Sequence, residues 1–172
     1  MYINRIKDNF DKATRKTVVE SLVLSQINYC NIVWGSTNKT QVHRVQKLQN
    51  FAAKVVHGSA KKFDHVTPII KDLKWLTVEQ QCKVDMCSFI YKVQNDKIPN
   101  WLISLPTIGQ INERDTRQRN DLYIPPANTE IGSRVIEIRG SSAWNRLSTN
   151  IKSSSSLIKF KKQLKEHILR GL

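Results

Sequence analysis

Apolar residues recur at intervals of three and four along most of the chain, which is the period of an amphipathic α-helix. The clearest stretch runs from Val42 to Val93 and predicts two long helices joined by a short one. Its apolar positions are Val42, Val45, Leu48, Ala52, Val55, Val56, Val78, Cys82, Met86, Phe89, Ile90 and Val93. Each long helix must bury one face, and each is the other's nearest candidate partner, so we expect the two to pack together.

Short polar side chains predict where the helices begin, because their oxygen atoms accept hydrogen bonds from the first turn. The candidate caps are Asp11, Asn38 or Thr40, Thr67 ahead of Pro68, and Thr77. Thr77 and Gln80 together match a capping box, which is the most definite of these patterns. The helices that start at these caps are predicted to end near Tyr29, Val56 (before Gly58), Lys74 and Gln94.

The apolar spacing weakens after Pro106. Residues 107–121 have few apolar anchors and several charges, so we predict that they form an exposed basic linker. This linker would separate a helical domain, residues 1–106, from a C-terminal extension, residues 122–172.

The C-terminal extension is predicted to contain a little β structure. Leu122-Tyr123-Ile124 and the stretch from Arg134 to Ile138 are short and rich in β-branched residues, so we expect them to pair as a two-stranded ribbon lying on helices. One helix is expected around Trp144 and the last one after the serines at 153–156. The predicted fold is therefore mainly α: a helical bundle with a small β ribbon in the C-terminal third.

The charge of the chain favours a polyanionic partner. It has 28 Lys and Arg against 14 Asp and Glu, a net charge of +14, and such an excess is typical of proteins that bind DNA, RNA or an anionic membrane surface. The alternative is a basic protein whose charges are solvated surface. Lysine meets a phosphate as a point charge and arginine as a fork. The candidate nucleic-acid contacts are Arg44, Lys47, Lys54, Lys61, Lys62, Arg114, Arg117 and Arg119.

The cysteines and the apolar runs bear on the compartment. No apolar run is long enough to span a membrane, and the first residues lack a secretory h-region. Three cysteines, an odd number, predict free thiols in a reducing compartment. We therefore expect an intracellular protein, in the nucleus or the cytoplasm, without a membrane partner. A zinc site from Cys30, Cys82, Cys87 and a histidine would lack the usual paired spacing, so buried apolar thiols are the preferred interpretation.

Catalytic groups do not converge in the sequence. The acidic residues are scattered singly, the glycines form no phosphate-binding loop, and the four histidines lack a nucleophile and an acid at recognisable spacing. We therefore expect no catalysis by the chain alone and no cofactor. The tryptophans at positions 34, 75, 101 and 144 either anchor the core or stack on bases, and their apolar neighbours favour the core.

A series of short motifs runs in a fixed order from about residue 16 to residue 169. They are Ser25 to Asn31, Leu48 to Val56, His65 to Pro68 with Leu73, Trp75 to Glu79, Tyr91-Lys92, Pro99 to Leu105, Arg117 to Asn120, Leu122 to Pro125, Gly132 to Arg134, Trp144 to Leu147 with Ile151, and Ser156 with Phe160-Lys161 and Leu164-Lys165. The series resembles the region after the polymerase palm in reverse transcriptases of non-LTR retrotransposons (LINE elements), of the jockey and chicken-repeat type. Where this chain has Gln26 and Asn28, that family usually has arginine and aspartate.

The resemblance implies that residues 1–106 are the helical thumb of such an enzyme and that the rest is its C-terminal extension. In the family the thumb grips the primer–template duplex through its backbone. The catalytic aspartates, which use Mg²⁺, and the endonuclease lie upstream of this region. We therefore expect a non-catalytic fragment of an RNA-directed DNA polymerase whose partners are RNA or DNA and the polymerase palm.

Two other hypotheses stay open. An inactive structural remnant that docks on a polymerase palm would expose an apolar patch and scatter its basic residues evenly. A small metal-dependent nuclease would bring two carboxylates within metal-sharing distance. The deciding feature is whether Arg44, Lys47, Lys54 and the arginines of the linker share one face.

Overall fold

The computed structural model describes residues 7–58, 64–99, 101–112 and 117–170. The chain folds as two compact units, Met1–Cys82 and Lys83–Leu172. Across the described ranges the regular secondary structure is helical, apart from one isolated antiparallel bridge between Thr107 and Leu122. The mainly α prediction is therefore confirmed. None of the helices in these ranges is both long and apolar enough to cross a membrane.

The first unit is a succession of helices. In order they are a 3-10 turn (Lys7–Asn9), α1 (Lys12–Val19), a π-helical turn (Glu20–Leu24), α2 (Ser25–Asn28), α3 (Asn31–Trp34), α4 (Lys39–His57), α5 (Thr67–Asp72) and the start of α6 (Val78–Gln94). Cys30, between α2 and α3, has a φ of +48°, in the left-handed region. The chain changes direction there, because a residue in that conformation cannot continue a right-handed helix.

Most of the predicted helix caps are present. The side chains of Asp11 and Asn38 accept hydrogen bonds from backbone N–H groups of the first turns of α1 and α4, at 3.1 and 2.9 Å. Thr77 N donates to Gln80 Oε1 at 2.9 Å and Gln80 N donates to Thr77 Oγ1 at 3.3 Å, which is the predicted capping box. Thr67 is instead the first residue of α5, and that helix has no side-chain cap.

The core of the first unit lies under α4. Its buried members are Val19, Leu24, Ala52, Ala53, Val55, Val56, Ile69, Leu73 and Trp75. The ring of Trp75 is buried, and its Nε1 donates to Glu20 Oε1 at 2.8 Å. This hydrogen bond satisfies the polar edge of an otherwise apolar anchor.

A network of side-chain amides holds α4 against the start of α6. Buried Gln49 donates from Nε2 to the carbonyl oxygen of Leu76 at 2.7 Å. Gln46 Oε1 accepts from Val78 N at 2.8 Å, and its Nε2 donates to Gln49 Oε1 at 2.9 Å and to Asn50 Oδ1 at 2.8 Å. A buried polar group that loses its partner costs about 1–3 kcal/mol, so these bonds favour one rotation of α4 about its axis.

The second unit gathers its helices around three stacked aromatic rings. It contains the rest of α6, α7 (Ile108–Ile111), a 3-10 turn (Gly132–Arg134), α8 (Ile136–Asn145), α9 (Thr149–Lys152) and α10 (Leu157–Arg170). The ring centroid of Phe160 lies 4.7 Å from that of Tyr91 and 5.8 Å from that of Trp144. The buried Tyr91 hydroxyl donates to the carbonyl oxygen of Ser154 at 2.6 Å. Helices α6, α8 and α10 therefore meet at one apolar centre.

The segment predicted as a linker belongs to the second unit. It begins with α7, whose first turn is closed by a capping box between Thr107 and Gln110. Just beyond it Leu122 is buried, and its backbone N–H and C=O both pair with the side chain of Asn145 at 2.9 Å. The boundary between the two compact units falls inside α6, and a functional division at residues 107–121 stays a prediction.

The predicted β ribbon is wrong. Leu122 makes only the isolated bridge to Thr107, and the β-branched run enters α8, which spans Ile136–Asn145. Gly140 and Trp144, four positions apart, are both buried, so the helical period places one side of this segment in the core. Strand propensity mainly measures fit to a pleated, half-buried surface, and it yields where helix packing buries more.

Candidate nucleic-acid interface

The outward side of α4 is its charged side. The helix has 19 residues, which corresponds to a length of about 28 Å. Its buried residues are Gln49, Ala52, Ala53, Val55 and Val56. Its exposed basic residues are Lys39, His43, Arg44, Lys47 and His57, and Lys54 is half-buried. The core and the solvent therefore divide α4 into an apolar and a basic half.

Three of the predicted contact residues lie on this basic half. Successive residues of an α-helix are rotated by about 100°, so Arg44, Lys47 and Lys54 fall within about 80° of the helix circumference. His43 lies about 20° and Lys39 about 60° beyond the edge of this sector. A single surface of α4 therefore presents a row of cations along most of the helix.

Three exposed basic residues of α4 form no ion pair within the described ranges. No carboxylate of the described residues lies at ion-pair distance from Lys39, Arg44 or Lys47, and Arg44 makes only a long 3.5 Å hydrogen bond to Gln41 Oε1. Lys12 on α1 shows the contrast, because its Nζ lies 2.7 Å from Asp72 Oδ2. That hydrogen bond lowers the pKa of Asp72 below its ordinary value. Lys39, Arg44 and Lys47 can thus meet an external anion.

An acid-free stretch of sequence underlies this surface. No Asp or Glu occurs between Glu20 and Asp64, a stretch that contains the whole of α4. The net charge of the chain gives no sign of this stretch, and His43 was not among the predicted contacts. A stretch that contains basic residues and no acidic ones favours a positive potential along α4.

A different cation serves the C-terminal end of α4. Gly58 ends the helix with a φ of +85°, and a Cβ placed there would lie 3.0 Å from Cζ of the Arg15 guanidinium. The carbonyl end of a helix attracts positive charge, so the position of the Arg15 guanidinium beside the C-terminal end of α4 is favourable. Its role is structural, and it is not part of the basic surface.

The remaining predicted contacts are not part of α4. Arg117 and Arg119 are exposed and lie in the turn that follows α7 in the second unit. Lys61, Lys62 and Arg114 lie outside the described residues. Of the predicted set, the residues that the structure brings together are therefore Arg44, Lys47 and Lys54.

Apolar side chains border the cations on α4. Leu48, which the apolar spacing placed in the core, is 61 % exposed, and Phe51 is also exposed. They follow Arg44 by four and seven positions and so continue along its side of the helix. Gln49 is buried instead of Leu48, because a hydrogen bond from its side-chain amide to the carbonyl oxygen of Leu76 stabilises it there. The outward surface of α4 thus combines cations with an apolar edge.

The tryptophans follow the core prediction with one exception. Trp75 and Trp144 are buried, and Trp34 is half-buried. Trp101 is 84 % exposed, so the core prediction is wrong there. Its immediate neighbour Leu102 is exposed as well, and these two residues form an apolar turn on the surface of the second unit.

The titratable groups of the described ranges do not gather into a metal site. Cys82 and Cys87 are buried free thiols, as predicted, and burial raises the pKa of Cys87 to about 11. Cys30 is exposed, which contradicts the expectation of a buried thiol. A thiol with a pKa so far above neutrality stays protonated and is a poor metal ligand or nucleophile.

No protein family, curated protein or solved structure matches this chain. The function of the chain is therefore inferred mainly from the surface of α4.

Proposed function

We propose that this chain binds the phosphate backbone of RNA or DNA through the outward side of α4, without catalysing a reaction. The observation that carries the proposal is that Lys39, Arg44 and Lys47 are exposed on α4 and form no ion pair with a carboxylate of the described residues. Lysine and arginine side chains of this kind make the contacts that position a protein on a nucleic acid. They read phosphate rather than sequence, so binding should depend weakly on base composition.

The support beneath α4 suits this role. The helix is capped by Asn38 at one end and terminated at Gly58 at the other, and its buried side is held by Gln46 and Gln49. A rigid helix presents its cations with little further loss of backbone entropy on binding. The long side chains of Lys39 and Lys47 remain free to adjust to the spacing of the phosphates.

We also propose that the chain is the thumb and C-terminal extension of a non-LTR retrotransposon reverse transcriptase. The ordered motif series of the sequence supports this origin, and the mainly helical fold is compatible with it. In that setting the nucleic acid on α4 would be a primer–template duplex or the element's own RNA. The Mg²⁺ chemistry would belong to the upstream palm.

Fluorescence anisotropy with a labelled RNA–DNA hybrid tests the binding function. We expect the logarithm of the association constant to fall linearly with the logarithm of salt concentration between about 50 and 200 mM, as phosphate contacts require. The variant Arg44→Gln/Lys47→Gln removes two contacts and should make that slope less negative by about 1.5, from 0.7–0.9 per contact. Glutamine has nearly the helix propensity of lysine and arginine, so the fold should be retained.

Lys71→Gln/Lys74→Gln is the matched control. It removes the same charge from exposed residues of the same unit, on α5 and the turn after it. We expect its salt slope to equal that of the parent chain. Absence of binding at low salt, or equal changes in both variants, would refute a specific role for α4.

A second candidate function is docking to another protein, favoured by exposed apolar residues in the first unit. Tyr29 and Val33 are each 74 % exposed, and Leu22 is also exposed. Large apolar side chains exposed in one short stretch mark many protein contacts. If this is the main function, Leu22→Gln/Val33→Gln should abolish capture of a reverse-transcriptase palm domain and leave binding of the hybrid unchanged.

A further inference from the structure

The second unit has an acid-free stretch of its own. No Asp or Glu occurs between Glu137 and Glu166. The basic residues of the stretch are Arg139, Arg146, Lys152, Lys159, Lys161, Lys162 and Lys165. Four of these seven are on α10, so the charge is concentrated on one helix.

Lys152, just before α10, has a structural role. Its Nζ lies 3.5 Å from Asp121 Oδ1 and donates to the carbonyl oxygen of Asn145 at 3.3 Å. The lysines of α10 differ from it. Lys159, Lys162 and Lys165 are exposed, and none has a carboxylate at ion-pair distance in the part of the chain that the structure describes. Within the described residues, these lysines therefore make no ion pair that would stabilise the fold.

Core contacts fix which side of α10 faces the solvent. Phe160 and Leu164, four positions apart, are fully buried, and Phe160 stacks on the rings of Tyr91 and Trp144. The first turn is held as well, because Ser156 Oγ accepts from a backbone N–H of α10 at 3.2 Å. With these anchors in the core, the opposite side of the helix is committed to solvent.

The three exposed lysines form a row across that outward side, which they share with one exposed acid, Glu166. Lys159, Lys162 and Lys165 are spaced at three-residue intervals, and residues so spaced have Cβ atoms about 5–6 Å apart. Long flexible side chains on such a row can each meet a successive phosphate of one strand. Lys161, half-buried, flanks the row.

We propose that α10 is a second phosphate-backbone-binding surface for nucleic acid, separate from α4 and carried by the second compact unit. It does not rest on the function proposed for α4. Nucleic acid fits better than an anionic membrane, since an in-plane membrane helix needs a free apolar face and that of α10 is buried. Ile158 is the one strongly exposed apolar residue of this helix, at 83 %.

The test compares Lys162→Gln/Lys165→Gln with the parent chain in anisotropy titrations of a labelled single-stranded RNA and of an RNA–DNA hybrid. Two lost phosphate contacts should make the salt slope less negative by about 1.5. The control Lys83→Gln/Lys92→Gln removes equal charge from α6 and should leave the slope unchanged. Combined with Arg44→Gln/Lys47→Gln, the α10 change should add to the α4 change, because the two surfaces act separately.

Each result decides the proposal. An unchanged slope in the α10 variant, or an equal change in the α6 control, overturns it. Co-sedimentation with phosphatidylserine vesicles provides a further arm, and loss of vesicle binding without loss of RNA binding also overturns it. If the α10 variant loses contacts while the α4 variant does not, the α10 surface stands and the function proposed for α4 fails.

Discussion

At Gly140, α8 lies close to α6, and the effect of a larger side chain there can be predicted. It lies in the middle of α8, and a Cβ built on it would sit 2.8 Å from Ile90 Cδ1 and 3.3 Å from Ile90 Cγ1 on α6. Ile90 is fully buried, so its terminal methyl cannot turn out into solvent. The perturbation of interest is Gly140→Ala.

Two opposing effects set the magnitude for Gly140→Ala. Alanine is favoured over glycine within a helix by about 1 kcal/mol. An extra methyl in a packed core costs about 1–3 kcal/mol, and a 2.8 Å contact places this site within that range. The difference is a net loss of about 1 kcal/mol in the free energy of unfolding.

Ile90→Val removes the methyl that the new side chain would meet. Alone it should cost about 0.5–1.5 kcal/mol by leaving a small cavity. In the Gly140→Ala background the cavity holds the added methyl, so the double variant should be at least as stable as Gly140→Ala alone. The expected coupling is about 1 kcal/mol or more, in the stabilising direction.

Urea unfolding followed by circular dichroism measures all four members of this cycle. Ile151→Val is the matched control, since Ile151 is buried in the same unit but is not among the nearest atoms to Gly140. Its combination with Gly140→Ala should be additive. If the Ile90 cycle were additive too, the close approach of α8 to α6 would be wrong.

Three further outcomes are expected. Tyr91→Phe strands a buried carbonyl and should lower the free energy of unfolding in urea by about 1–3 kcal/mol, whereas Tyr123→Phe, at an exposed ring, should not. A hydrogen bond from Lys12 lowers the pKa of Asp72. The pair therefore stabilises the fold at pH values above the carboxyl's ordinary pKa of 3.8, and this stabilisation is lost as the pH falls below the lowered pKa. Asp72→Asn should therefore flatten the acid limb of thermal stability against pH. Cys87, with its pKa raised to about 11, should react with a thiol reagent near neutral pH only after unfolding.

The helix limits were predictable because their causes are local. The Thr77 cap has its partner Gln80 three residues away, and the Asp11 and Asn38 caps are as short in sequence. Each of these capping patterns lies within about four consecutive residues of the sequence. The caps therefore survive folding almost regardless of what packs around them.

The rotation of α4 was not predictable in the same way. Gln49 is buried in place of Leu48 because it donates to Leu76, 27 residues further along the chain. Hydrophobic periodicity predicts that a leucine is buried in preference to a glutamine. It contains no information on a hydrogen-bond partner so distant in the sequence. The β-ribbon error has a similar origin, since the helix Ile136–Asn145 packs at Gly140 against Ile90, 50 residues earlier in the chain.

The candidate site lies between these cases. Arg44 and Lys47 could be chosen from the sequence, because helical spacing alone places them on one side. Whether they are neutralised depends on acids from distant segments, and only the structure shows none beside them in the ranges it describes. The exposure of Trp101 is likewise a tertiary property.

The amide network under α4 has one more consequence. Gln46, Gln49 and Asn50 carry no ionisable group, and their partners at Leu76 and Val78 are backbone atoms. Added electrolyte weakens attraction between charges but leaves neutral, buried hydrogen bonds almost untouched. Helix α4 thus keeps its orientation as the salt concentration rises. A loss of affinity for nucleic acid in concentrated electrolyte therefore reports ion release and not a rearranged helix.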